Sequence, residues 1–224
     1  MNRFFVESLA DERITLPSSV AHQVRRVLRL TDGERIVLLS GGSEALCRLE
    51  GDECIVEERR PSLAEPQHRL IVCQALLKGD HLEQVVQQGT EIGVVRFRLL
   101  VSARCVVREL STHKLERLRA IARESAEQSE RGIVPEVEAP LPLADVLEAG
   151  SVLLYERHPG ERLSVIEPPA SIIIGPEGGF TADEVASARA AGVKLAGLGP
   201  RIIRSRSAAA AAAAVVLSRT GDFA

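Results

Sequence analysis

Ile172-Ile173-Ile174-Gly175-Pro176-Glu177-Gly178-Gly179-Phe180 and, further on, Leu198-Gly199-Pro200-Arg201-Ile202-Ile203-Arg204-Ser205-Arg206-Ser207 are two glycine-bearing loops, each following an apolar run and preceding a helical pattern. A strand that ends in glycines exposes bare backbone at the carboxyl edge of a parallel sheet, where α/β proteins bind their ligands. Two such edges separated by one helix predict a pocket made from main-chain groups. Neither loop reads G-x-G-x-x-G or G-x-x-x-x-G-K-[ST], so the dinucleotide and P-loop fingerprints are absent and the ligand need not be a phosphate.

Outward from these loops the chain alternates strand and helix from residue 67 onward, which implies a mostly parallel sheet covered by helices. Strands are expected at 69–77, 96–101, 151–155, 171–174 and 194–198. Helices are expected at 81–91, closing on Gly93, and at 112–131. Thr181 with Glu184 three residues later makes a capping box for a helix that stops at Gly192. The run Ala208 to Ala214 favours a final helix without bulk, either a plain core helix or a place where backbone passes close to backbone.

The first 66 residues read differently, as short strands around one helix. Val20, Val24, Val27 and Leu28 form an apolar stripe at helical spacing, with His22, Arg25, Arg26 and Arg29 on the other side. Glycine-turned strands follow at 35–39, 45–50 and 53–58, the pattern of a small barrel, and Pro61 to Pro66 reads as the linker. The expected domains are therefore 1–66 and 67–224.

Composition narrows the function classes. Hydrophobic residues at 45 % allow a real core, whereas aromatics at 3 % with no Trp exclude rows of base-stacking rings. A formal charge of -3 argues against indiscriminate polyanion binding, so local clusters matter more than the sum. Cys47, Cys54, Cys73 and Cys105 lie far apart without a C-x-x-C and read as reduced, buried thiols of a cytoplasmic protein. The five histidines show no metal-ligand spacing, so no metal is expected. The longest apolar stretch, Ala208 to Leu217, is half of the roughly 20 residues a bilayer requires, so neither signal peptide nor membrane is expected.

The two loops, together with Lys78-Gly79-Asp80, Gln87 to Gly93 as Q-x-x-T-E-I-G, and Glu124 to Arg131 as E-x-x-E-Q-x-x-R, resemble the RsmE family of the SPOUT superfamily. That family methylates N3 of a uridine in 16S ribosomal RNA. The resemblance covers nearly the whole chain and implies a SPOUT-type α/β knot with a parallel sheet, preceded by a small PUA-like β-barrel that binds RNA. It also implies S-adenosylmethionine as cofactor without a metal, a homodimer, the small ribosomal subunit as partner, and a final segment threaded through a trefoil knot.

Carried over position by position, the resemblance nominates Leu154, Gly175, Pro176, Glu177, Gly178, Leu198, Gly199, Ile203 and Ala208 for the cofactor. Main-chain groups would read the adenine edge while Leu198 and Ile203 pack on its faces. Arg204 is placed at the target phosphate or the cofactor carboxylate, a surface ion pair being the plainer alternative. Glu177 is either a functional carboxylate or an anion ahead of the next helix. His22, Arg25, Arg26, Arg29, Lys78, Arg131 and Arg206 are the RNA-contact candidates, against the plainer reading of solvated helix faces. Glu91 is nominated as proton acceptor.

The departure from the family is Arg206, which stands where its R-T-E-T-A pattern has glutamate and so puts a cation at a helix start. Two other readings stay open: a ribosome-assembly factor that has kept the fold and lost catalysis, and a methyltransferase acting on another RNA or on a ribose hydroxyl.

Overall fold

The computed structural model describes residues 1–156 and 161–222. It divides into two compact units, Met1–Glu65 with Ala126–Val134, and Pro66–Ser125 with Pro135–Ala224.

The first unit contains β1 (Arg3–Phe5), β2 (Arg13–Thr15), α1 (Ser18–His22), β3 (Arg35–Ser40), β4 (Ser43–Glu50) and β5 (Glu53–Pro61). Its sheet runs β1-β3-β4-β5-β2, antiparallel except where β1 lies parallel to β3. Alternation along β3 and β4 sends Ile36, Leu38, Ala45, Cys47 and Leu49 to one face, against Phe4, Ile14, Val20 and Val24. Phe5, Val37 and Leu39 point the other way and are covered by Ala126 and Val134. The tail of the long third helix therefore completes this unit. Glu127 accepts the Phe5 N–H at 3.2 Å, and Glu130 meets Arg3 at 2.8 Å.

The expected stripe of the first helix is half right. Val20 and Val24 are buried, but Val27 is 63 % and Leu28 39 % exposed. After His22 the chain widens into a π turn over Gln23–Val27, closed by the Leu28 N–H on Gln23 O at 2.9 Å. A π turn advances each residue through less rotation than an α turn, so Val27 and Leu28 swing off the buried line.

The second unit holds β6 (Ile71–Ala75), α2 (His81–Ile92), β7 (Arg96–Val101), most of α3 (Thr112–Gln128), β8 (Glu136–Val137), β9 (Leu141–Pro142), β10 (Ser151–Leu154), β11 (Ser171–Ile174), α4 (Ala182–Ala190), β12 (Lys194–Ala196) and α5 (Ser205–Leu217). All its pairings are parallel, in the order β12-β10-β11-β6-β7-β8, with β9 against the end of β7. β11 is buried along its whole length, as a continuous isoleucine run inside a two-sided sheet should be. α5 packs along α2 and buries Ala208, Ala209, Ala212, Ala213, Val216 and Leu217.

Chain order and spatial order part company at β10. The chain steps from β10 to β11 on one side, then crosses back to lay β12 on the other side of β10. Such a reversal leaves a crevice outside the carboxyl ends of the strands concerned, because the connections leave in opposite directions.

Candidate active site

The crevice is a cavity of about 600 Å³ where the ends of β10, β11 and β12 meet the start of α5. Leu154 ends β10, Tyr155 and Glu156 follow it, and the Gly175–Phe180 segment follows β11. Gly197, Leu198, Gly199, Arg201, Ile202, Ile203 and Arg204 follow β12. Ser205, Arg206 and Ala208 enter from α5, and His81 from the first position of α2.

The glycine loop after β11 is held on several sides. Within it the Gly179 N–H bonds Pro176 O at 2.9 Å, and Thr181 then caps α4 through Glu184 N–H at 3.2 Å. Glu184 returns a carboxylate oxygen to the Thr181 N–H at 2.8 Å and the other to the Ala103 N–H at 2.6 Å. Arg104 donates to Gly178 O at 2.9 Å, and a Cβ on Gly178 would stand 3.2 Å from the Arg104 Cβ. The loop after β7 thus presses on the glycine loop where a Cβ would be tightly crowded.

From beneath, Ser205 donates its hydroxyl to Gly175 O at 2.5 Å and accepts from Gln74 Nε2 at 3.1 Å. Gln74 is fully buried on β6 and also donates to Ala75 O at 3.1 Å. Its Oε1 is buried and finds no hydrogen-bond partner among the described residues. A relay from β6 through α5 therefore fixes the Gly175 carbonyl.

The lining carries charge of both signs. Burial pushes the Glu177 carboxyl up, but hydrogen bonds from its own N–H and from the Lys78 N–H at 3.1 Å, with His81 beside it, hold it below the usual carboxylate range. His81 Nδ1 lies 3.5 Å from the same Glu177 oxygen. Arg201, Arg204 and Arg206 line the cavity and form no ion pair with any described residue. Unpaired guanidiniums beside main-chain loops favour a ligand or substrate bearing anionic groups.

Residues 64–217 match the RNA methyltransferase domain family. A ribosomal RNA small subunit methyltransferase E from Synechocystis is 33 % identical over 94 % of this chain and 74 % of its own length. The chain belongs to the ribosomal RNA small subunit methyltransferase E family. Its Bacillus subtilis relative of the same name is 31 % identical, covering 93 % of each chain. The crystal structure of the Neisseria gonorrhoeae methyltransferase E bound to S-adenosyl methionine matches the whole of both chains with a TM-score of 0.92 at 27 % identity.

Against that family background, Leu154, Gly175, Pro176, Glu177, Gly178, Leu198, Gly199, Ile203, Ala208, Arg204 and Arg206 all lie on the one cavity lining. Glu91 does not. It sits on an exposed part of α2 and accepts from Gln87 Nε2 at 3.1 Å, one turn away on the same helix, so it is no acceptor for this cavity. Lys78 reaches the lining through its main-chain N–H, and its side chain is exposed.

Arg131, expected on RNA, is 2 % exposed and grips Glu65 at 3.0 Å, whose other oxygen takes the Ile133 N–H at 3.0 Å. It braces the first unit from within. Arg25 is likewise engaged there, donating to Leu30 O at 2.9 Å, to Asp32 at 2.5 Å and to Gly51 O. His22, Arg26 and Arg29 remain exposed. Lining residues that the sequence did not nominate individually include His81, Tyr155, Glu156, Phe180, Arg201, Ile202 and Ser205. His81 could have been found, since it directly follows Lys78-Gly79-Asp80 and starts a helix.

Among the described residues no group of three or more His, Cys, Asp or Glu could hold a metal ion, and no helix is long and apolar enough to cross a membrane.

Proposed function

We propose that this protein transfers a methyl group from S-adenosylmethionine to N3 of a uridine in 16S ribosomal RNA of the small subunit. The observation that carries the reading is the convergence of the residues nominated for the cofactor on one cavity, in a chain that follows an S-adenosyl methionine-bound family member along its full length.

The residues present fit that cofactor. A cavity of about 600 Å³ lies within the usual range for a ligand of this size. Leu198 and Ile203 supply apolar flanks for an adenine ring, and the Gly175, Gly178 and Gly199 main chain supplies donors and acceptors without side chains in the way. Arg204 is placed for the cofactor carboxylate or the target phosphate. The cofactor, when bound, supplies a methyl group already activated on a sulfonium. The chain's own part is to bind, align and exclude water, converting a bimolecular encounter into one of fixed geometry.

In the same reading the first unit is a PUA-like RNA-binding domain, with His22, Arg26 and Arg29 offering cations to phosphates. The last segment with its small alanines suits a trefoil knot, the working form is a homodimer, and the compartment is the cytoplasm where ribosomes are built. Arg206 on the lining supports a second reading, an assembly factor that has lost methyl transfer.

Calorimetry with S-adenosylmethionine and mass spectrometry of 16S rRNA nucleosides from a strain lacking the gene test both. Stoichiometric cofactor binding with loss of the N3-methyluridine signal is expected. A folded protein that binds no cofactor, in a strain whose 16S rRNA is unchanged, refutes the methyltransferase and favours the factor.

A further inference from the structure

A ring nitrogen that carries a proton attacks a methyl group only after that proton has been taken, and the methyl-transfer reading, on which this inference rests, leaves the acceptor unassigned. The described lining narrows the choice. Its arginines are donors without an acceptor atom. Ser205 already gives its hydroxyl proton to Gly175 O and takes one from Gln74. Tyr155 presents a phenol, a proton donor before it is an acceptor. Glu177 is occupied by the Lys78 N–H and kept anionic, which makes it a weak base and a good counter-charge. Glu156 stands against the glycine loop, one oxygen 3.2 Å from where a Gly179 Cβ would lie, and a carboxylate is a poorer base than an imidazole near neutral pH.

His81 is left. Its ring is 32 % exposed, it opens onto the cavity from the first position of α2, and its Nδ1 lies 3.5 Å from Glu177 Oε1. A carboxylate on one ring nitrogen holds the proton there and leaves the other nitrogen with a free electron pair, the arrangement used by histidine bases in general. We propose that His81 Nε2 takes the proton of the acceptor ring nitrogen, with Glu177 fixing the imidazole tautomer.

The step balances without a further reagent. The N–H bond of the acceptor breaks and its proton moves to Nε2. The electron pair left on nitrogen forms the new bond to the methyl carbon, while the old carbon–sulfur pair stays on sulfur, which becomes a neutral thioether. The imidazolium, steadied by Glu177, then returns its proton to water.

The charges around His81 are mixed. Glu177 and Glu156 come from the loops after β11 and β10, and Arg201, Arg204 and Arg206 from the last loop and α5. Lys78 and Asp80 immediately precede the helix, and Lys114 of α3 donates to the neighbouring Gly79 O. Glu177 is the carboxylate that faces the ring, with its Oε1 3.5 Å from Nδ1, so removing its charge releases the constraint on the tautomer.

The test uses the full-length protein with His81→Gln and Glu177→Gln. Single-turnover methyl transfer to acceptor rRNA is followed against pH, cofactor binding by calorimetry, and the His81 ring tautomer by nitrogen NMR. His81→Gln is expected to bind S-adenosylmethionine within about threefold of the parent, to transfer about 10²- to 10⁴-fold more slowly, and to lose the acid limb of the profile. Glu177→Gln is expected to slow transfer and to change the proportion of the two ring tautomers together. An active parent with His81→Gln equally active, or with its acid limb unchanged, overturns the assignment of His81 alone. Loss of cofactor affinity in His81→Gln also overturns it, making His81 part of the cofactor wall. A parent that transfers no methyl group overturns the functional reading itself.

Discussion

Glycines on the cavity lining are needed for different reasons, and substitution separates them. Gly199 has φ +114 with nothing near the position of a Cβ, so its demand is on the backbone alone. Gly199→Ala introduces strain of about 1–2 kcal/mol and displaces Leu198 and the turn toward Ile203. Calorimetry should show S-adenosylmethionine affinity reduced about tenfold, a change of about 1.4 kcal/mol, with the fold intact. Elsewhere a charge is at stake. Burial raises the Glu44 carboxyl, but Arg60 and Arg3, each at 2.5 Å, lower it further and leave it below its ordinary value of 4.5. A lowered folded value means that the stability contributed is fully present above the ordinary carboxylate range and is lost as pH falls through the lowered value. Glu44→Gln should therefore reduce the urea midpoint at pH 7, and the difference from the parent should shrink as pH falls through the lowered value. The spacing Glu124 to Arg131 shows where residue-level reading stops. It defines faces of a helix, but not that Arg131 reaches Glu65 or that Glu127 serves Phe5, because those partners are remote in sequence.

At the level of elements, legibility followed length and pattern. β11, with four consecutive buried residues, and the Thr181–Glu184 capping box stand in the structure as the sequence implies, because each signal is local. Thr181→Ala should lower stability by about 1 kcal/mol, read from the thermal midpoint, since it leaves the Glu184 N–H without its oxygen at the start of α4. The same variant should loosen the Glu184 bond to Ala103 and so raise hydrogen exchange in the loop after β7. β8 and β9 were not foreseen, because two residues each give no period and β9 includes Pro142. The π turn at Gln23–Val27 was equally hidden, since a helical stripe assumes a constant turn and no residue type announces a wider one. Of the candidate site, the loops were legible because glycine, proline and apolar runs mark strand ends. His81 carries a weaker signal, its place directly after Lys78-Gly79-Asp80, because it joins the cavity from another element through the parallel sheet order.

For the molecule as a whole, a formal charge of -3 and exposed cations gathered in a few places make opposite demands on RNA binding. Net repulsion suppresses attachment to arbitrary phosphates, and productive binding must come from short-range clusters. In the first unit, Arg26 and Arg29 flank the exposed Val27 and Leu28 where the π turn ends, and Arg29 is held at φ 56. Each phosphate neutralised releases a counterion, so the number of contacts can be counted from the salt dependence of affinity. Replacing both arginines by alanine should flatten the slope of log K against log salt by about 2 on small-subunit RNA, if each holds one phosphate. Calorimetric affinity for S-adenosylmethionine, whose proposed site lies in the second unit, should stay unchanged in the same variant. A slope unaltered by the double substitution would move RNA attachment away from this turn and onto the arginines of the cavity, Arg201, Arg204 and Arg206, where the corresponding changes would then lower slope and methyl transfer together.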